Sequence, residues 1–153
     1  DYNKGVLTEA FIQGVLAICK EHKIITTVDP KRKNFLNFKE VDIFKPNLKE
    51  VREALNILAD DITEDGLRQI HEQLHQHLQH KISLITLSEK GVFFQKGNAC
   101  KIVPAHLRNI ADVSGAGDTV IATASLVYAA TNNISLAGGI ANIAGGLVCE
   151  EVG

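Results

Sequence analysis

Methionine and tryptophan are missing from this chain of 153 residues, and cysteine and proline occur only three times each. Cys19, Cys100 and Cys149 are far apart and odd in number. They offer no metal-ligand spacing and suit a reducing, cytoplasmic setting. A surplus of one charge is also missing. The 16 basic and 18 acidic residues leave a net charge of -2, so no general basic field directs the chain to nucleic acid or to an anionic membrane. No apolar run reaches the roughly 18 residues of a membrane span; the longest are cut by Asp118 and by Thr131-Asn132-Asn133. No signal peptide is visible. Neither a Gly-x-x-x-x-Gly-Lys P-loop nor a Gly-x-Ser-x-Gly elbow occurs. What remains is ordinary globular composition, 45% hydrophobic and 22% charged, long enough for one domain with a core. The first residue is Asp1, and Gly153 directly follows a helical pattern; both read as marks of a fragment of a longer protein.

Hydrophobic periodicity divides the chain. Thr8 caps an expected helix to about His22, with Ala10, Phe11, Val15, Ile18 and Cys19 spaced for one buried face. Residues 24–28 and 41–44 read as short buried strands, and 31–40 as a loop between them. A helix follows over 48–57, then an acidic turn from Asp60 to Asp65, then an amphipathic helix over 66–80. A third strand covers 82–87. Val92 to Gln95 and Cys100 to Val103 form a hairpin around Gly97-Asn98, and two helices fill 115–130 and 134–151. Single strands separated by helices imply an α/β fold, a mostly parallel sheet covered on both faces. Ligands in such sheets bind off the carboxyl ends of the strands. Asp29, Asn47, Ser88 and Asp118 all follow strands or open helices, so they can converge on that edge.

The most informative stretch is Asp112-Val113-Ser114-Gly115-Ala116-Gly117-Asp118-Thr119. Small residues let a backbone approach a ligand closely. A helix N-terminus presents unpaired amides and the positive end of a dipole to an anion. A carboxylate beside an oxyanion cradle is what phosphoryl transfer requires. The plain alternative is a glycine-rich helix entry with Asp112 or Asp118 as a cap.

The string resembles the Asp-Thr-x-Gly-Ala-Gly-Asp signature of the ribokinase-like (PfkB) carbohydrate kinases, and its continuation looks most like the heptose-7-phosphate kinase branch, which makes lipopolysaccharide heptose precursors. Val113 departs from the commoner Thr, at a position before the cradle. The resemblance implies a three-layer ribokinase-like fold, of which residues 1–153 are the second half of the domain. It implies Asp118 as the base that takes the sugar hydroxyl proton, with the amides of Gly115, Ala116 and Gly117 steadying the γ-phosphoryl charge.

Other motifs carry both a plain reading and a reading by resemblance. Asn47 and Glu50 stand three apart at a helix start, a capping box; they also resemble the family's Asn-x-x-Glu motif, which bears on Mg²⁺ and phosphate. Thr86 to Gly91 is a tight turn that resembles the family's Thr-x-Gly-x-x-Gly loop over the nucleotide, with Ser88 in place of Gly and with Thr86, Ser88 and Gly91 as its matching residues. Asn142 lies in a small-residue helix suited to close packing, and by resemblance lies beside the adenine. Lys4 and Lys31 sit in strings like those of heptose kinases and could face a sugar phosphate, although solvated surface lysines are commoner. His71, His75, His77 and His80 crowd one helical stretch. His71 and His75 are spaced for zinc, but no further ligand completes a site, and a polar helix face fits better.

These features imply an ATP- and Mg²⁺-dependent kinase whose acceptor is a sugar or sugar phosphate hydroxyl, with D-glycero-D-manno-heptose 7-phosphate preferred. The alternatives are another kinase of the family, ribokinase- or fructokinase-like, and a nucleotide-binding module without turnover. A homodimer and a fused or separate nucleotidyltransferase are the protein partners left open. Nucleic acid and membrane are not expected partners.

Overall fold

A computed structural model describes residues 4–57, 62–105 and 111–150. Three short stretches of sheet carry the parallel part: β1 (Thr27–Val28), β2 (Ile43–Phe44) and β3 (Ile82–Thr86). The hairpin β4 (Val92–Lys96) and β5 (Ala99–Val103) extends it. The five strands lie in sequence order. β1, β2 and β3 run parallel, whereas β4 and β5 are antiparallel to their neighbours.

Helices α1 (Glu9–Glu21), α2 (Leu48–Leu55) and α3 (Glu64–Leu78) contribute to one core, and α4 (Ala116–Thr131) and α5 (Ile134–Val148) to another. The pleat explains the division, because successive strand residues face opposite sides. Phe44, Ile85 and Phe93 join Val51, Leu67 and Leu74 in the first core. Their neighbours Ile43, Leu84 and Phe94 join Val120, Ala124 and Ala137 in the second. The sheet is therefore covered on both faces, as the buried, mostly apolar residues of β2, β3 and β4 require.

Local chemistry sets most helix ends. Thr8, Asn47, Thr63 and Asn133 each accept an amide of the first turn of the helix that follows, as N-caps should. Asp60 and Asp61, expected in an acidic turn, lie outside the described residues, while Glu64 and Asp65 open α3.

Three expectations fail in whole or in part. The first strand is shorter than 24–28, because the Ile24 amide closes the end of α1 on Cys19 O and the Thr26 amide goes to the Asp42 carboxylate. The face of α1 expected to be buried is largely open: Phe11, Val15 and Ile18 are 49%, 41% and 56% exposed. The core takes Ile12 and Leu16 instead. The histidines form a polar helix face only in part, His75 and His77 being exposed on α3. His71 is buried, and His80 lies beyond α3 and is wholly buried. Both rings meet the Ser83 hydroxyl of β3, at 2.8 Å and 2.6 Å. A short hydroxyl side chain in the first position after Ile82 leaves room and polarity for two imidazoles there, a tertiary match that helical periodicity cannot reveal.

Candidate active site

The carboxyl ends of β1 and β2 deliver Asp29 and Lys45, one residue past each strand. Lys45 is only 3% exposed, and its ammonium lies 3.0 Å from Asp29 Oδ2. A buried ammonium is costly unless paired, so this ion pair is a built feature of the strand ends. It lies directly against the glycine cradle. A methyl group placed on Gly117 would come within 3.5 Å of Lys45 Nζ and 3.8 Å of Asp29 Oδ2.

Gly115 to Gly117 form the entry to α4. Gly115 is the N-cap of α4, with φ +76°, and no side chain caps the helix. Glycine adopts that left-handed backbone without a Cβ penalty. Asp112 is turned away from the cap, since its Oδ1 accepts from the amide and the hydroxyl of Ser114. Gly117 in the first turn of α4 thus lies beside the Lys45–Asp29 pair, the Ala116 amide donates to Val113 O at 3.3 Å, and Asp118 sits exposed in that turn. Lys45 is the functional candidate that sequence reading passed over. It stands directly before the Pro46-Asn47 helix start and reads there as a strand terminator.

The rim continues from Asp29. Lys31 Nζ is 3.3 Å from Asp29 Oδ1 and 2.9 Å from Glu50 Oε1. Burial alone would lower the pKa of Lys31, but the hydrogen bond to Glu50 and the charges of Asp29 and Glu50 outweigh it and hold the ammonium above its ordinary value. Asn47 and Glu50 close the capping box in full: Asn47 N donates to Glu50 Oε2 at 2.9 Å, and Glu50 N to Asn47 Oδ1 at 2.8 Å. Asn47 also bridges to Thr86 of β3, whose amide donates to Pro46 O.

Beyond Thr86 the chain turns through Ser88, which has φ +55°. This explains why glycine suits the position and how serine, unusually, fills it. Gly91, with φ +96°, is indispensable to the turn: a Cβ there would stand 2.1 Å from Val103 O and 2.6 Å from Ala105 N. The same segment after β5 is held by α5, through Asn142 Nδ2 donating to Pro104 O at 2.9 Å. Gly145 allows the close approach of α4 and α5, since a Cβ there would meet Val120 at 2.6 Å.

An unbroken series of contacts therefore joins Asp29, Lys31, Glu50, Asn47 and Thr86, with Gly117 beside Asp29, and Asn142 holds the 103–105 segment on which Gly91 lies. Lys4 does not join them. It is exposed, and the nearby Leu7 carbonyl accepts from Asn34 Nδ2 of the segment after β1.

As donors for Mg²⁺, Asn47 and Glu50 suit an ion that keeps its waters. Their oxygens already accept the cap amides and Lys31, and among the described residues no group of three His, Cys, Asp or Glu could enclose a metal. Mg²⁺ commonly binds through few carboxylates, with water and phosphate completing its shell, so the residues fit it on those terms.

A model of the pfkB family carbohydrate kinases matches residues 3–153. The chain belongs to this family. It is 38% identical to the bifunctional protein HldE of Aliarcobacter butzleri and 36% identical to that of Syntrophotalea carbinolica, over all of this chain and 32% and 31% of those proteins. It thus spans about a third of the length of these curated relatives. Among solved structures, phosphofructokinase-2 from Escherichia coli in complex with fructose-6-phosphate superposes with TM-score 0.81 at 17% identity, over 95% of this chain and 48% of that one. Adenosine kinase from Sinorhizobium meliloti superposes with TM-score 0.76 at 24% identity, over 93% and 44%. These likenesses establish the ribokinase-like fold of this pfkB chain.

Proposed function

We propose that this chain is the second half of an ATP-dependent sugar kinase domain and carries its phosphoryl-transfer side. The carrying observation is the placement of Gly117 against the buried Lys45–Asp29 pair, with Asp118 in the same helical turn. Asp118 takes the proton from the attacking hydroxyl. The amides of Gly115 and Gly117, beside the Lys45 ammonium, hold negative charge that develops on the transferred group, while the Ala116 amide is engaged by Val113 O. Pre-placed donors suit this reaction, which asks a protein mainly for position and electrostatics. Mg²⁺, when bound near Asn47 and Glu50, supplies charge neutralisation at the phosphates. The turn at Thr86, Ser88 and Gly91, buttressed through Pro104 by Asn142, forms the nucleotide side.

The preferred acceptor is a heptose 7-phosphate, supported by the likeness to HldE over the whole of this chain. The word bifunctional in that name accords with a nucleotidyltransferase joined to the kinase. Lys4 remains a candidate for the sugar phosphate, on a loop that Asn34 ties to the segment after β1.

The test is Asp118→Asn in the full parent protein, assayed for ADP release with heptose 7-phosphate, ribose and fructose 6-phosphate side by side. A positioned general base contributes about 10²–10⁴-fold. The expected result is a kcat loss of that size with nucleotide binding retained. A variant with near-normal kcat would remove Asp118 from the role.

A further inference from the structure

Two half-buried carboxylates, Asp29 and Glu50, converge on one ammonium, that of Lys31. The other oxygen of Asp29 is taken by Lys45, which is buried and fixed. The other oxygen of Glu50 is taken by the capping box. Of the two cations, only Lys31 has substantial exposure, 33% against 3% for Lys45. Two carboxylates and two ammonium groups balance locally. A divalent cation brought to Glu50 upsets that balance, because the site then holds two positive charges more than its two carboxylates offset. The least costly adjustment is to move the one cation that sits on a flexible stem at the surface.

Resting on the reading of Asn47 and Glu50 as the magnesium-influencing pair, we propose that Lys31 is an internal counter-ion for Glu50, which a divalent metal displaces. With no metal, the Lys31 ammonium prevents Asp29 and Glu50 from repelling one another. When hydrated metal approaches Glu50, Lys31 gives up its hydrogen bond there. The freed ammonium remains tethered one residue from Pro30, beside the cradle, where it becomes a donor for an anionic group. Lys31 thus competes with the metal, and the strength of its pairing sets the metal concentration the site requires.

The experiment is thermal unfolding of the full parent protein and its variants in EDTA and across a MgCl₂ titration, read by circular dichroism and independent of turnover. Lys31→Met should unfold at lower temperature in EDTA, be restored by Mg²⁺, and reach half its response at about fivefold lower Mg²⁺ than the native chain, the factor that one moderately exposed ion pair supplies. Lys31→Arg, whose planar fork pairs more firmly with carboxylates, should move the half-response to higher Mg²⁺. This second variant preserves the charge and keeps the test open if Lys31→Met fails to fold. In the double variant Lys31→Met, Glu50→Gln the response to Mg²⁺ should disappear. A native chain that responds to Mg²⁺, loses the response with Glu50→Gln, and shows the same half-response in both Lys31 variants overturns the exchange while leaving the metal reading intact. No response to Mg²⁺ in any chain, with or without ADP, overturns the metal reading and the exchange with it.

Discussion

Acid should destabilise this protein well above the pH at which carboxylates protonate, through His71 and His80. Both rings lie between α3 and β3 and share the Ser83 hydroxyl, at 2.8 Å and 2.6 Å. A hydroxyl has one proton, so at most one imidazole nitrogen can accept from Ser83 Oγ and the other must donate to it. That pattern suits two neutral rings. Burial, reinforced by His75, lowers His71 to about 4. Burial, reinforced by His71 and His75, lowers His80 to about 3. The buried Nδ1 of His80 has no hydrogen-bond partner among the described residues, so a proton gained there would have no acceptor. In the unfolded chain both rings protonate near 6.5. Unfolded protein therefore binds more protons between these limits. The stability contributed by the neutral rings is complete above about pH 7.5 and declines as pH falls through 6.5 towards 4.

Each proton contributes about 1.4 kcal/mol per pH unit. At pH 5 each ring accounts for about 2 kcal/mol, so the pair costs on the order of 4 kcal/mol, against a total of about 5–15 kcal/mol for a typical domain. The two Asp42 partners do not confuse the window. Burial opposes ionisation of Asp42, but Lys81 and Thr26 prevail and hold its carboxyl below the ordinary value, so its contribution is lost only in stronger acid. Urea unfolding at pH 5, 6, 7 and 8 measures the slope directly. His71→Gln should reduce that slope by about half whatever it does to absolute stability. A stability that stays flat from pH 8 to pH 5 would refute the description of two buried neutral rings.

Gly117→Val should lower ATP affinity and kcat together in the full protein, because the branched side chain enters the space beside Lys45 Nζ and Asp29 Oδ2; unchanged affinity by calorimetry would put the cradle elsewhere. Gly91→Ala combines a positive φ with a Cβ 2.1 Å from a backbone oxygen. Strain and overcrowding of about 1–3 kcal/mol each should reduce the urea midpoint sharply, and a loss below about 1 kcal/mol would contradict the packing of the turn on residues 103–105.

Much of this protein was written in local sequence. The caps Thr8 and Asn47, the Gly97-Asn98 hairpin, the run of apolar strands and the Gly115-Ala116-Gly117-Asp118 loop all depend on neighbours a few residues away, so pattern and spacing reveal them. The pairing of Asn47 with Glu50 is of this kind, since both lie on one helical turn. Tertiary structure decided the rest. Lys45 looks like a polar stop to a strand until Asp29 is placed on the adjacent strand and Gly117 above both. Lys31 resembles a solvated lysine until the helix bearing Glu50 folds back against it. His71 and His80 fit a wet helix surface by spacing, and are buried because a distant strand offers Ser83. The apolar stripe of α1 is a case of the reverse kind: periodicity marks Phe11, Val15 and Ile18 for burial, but within the described residues the sheet reaches only the Ile12 side of the helix. Local order follows from residues that meet along the chain; charge pairing and burial follow from residues that meet only once the sheet has brought its strand ends together.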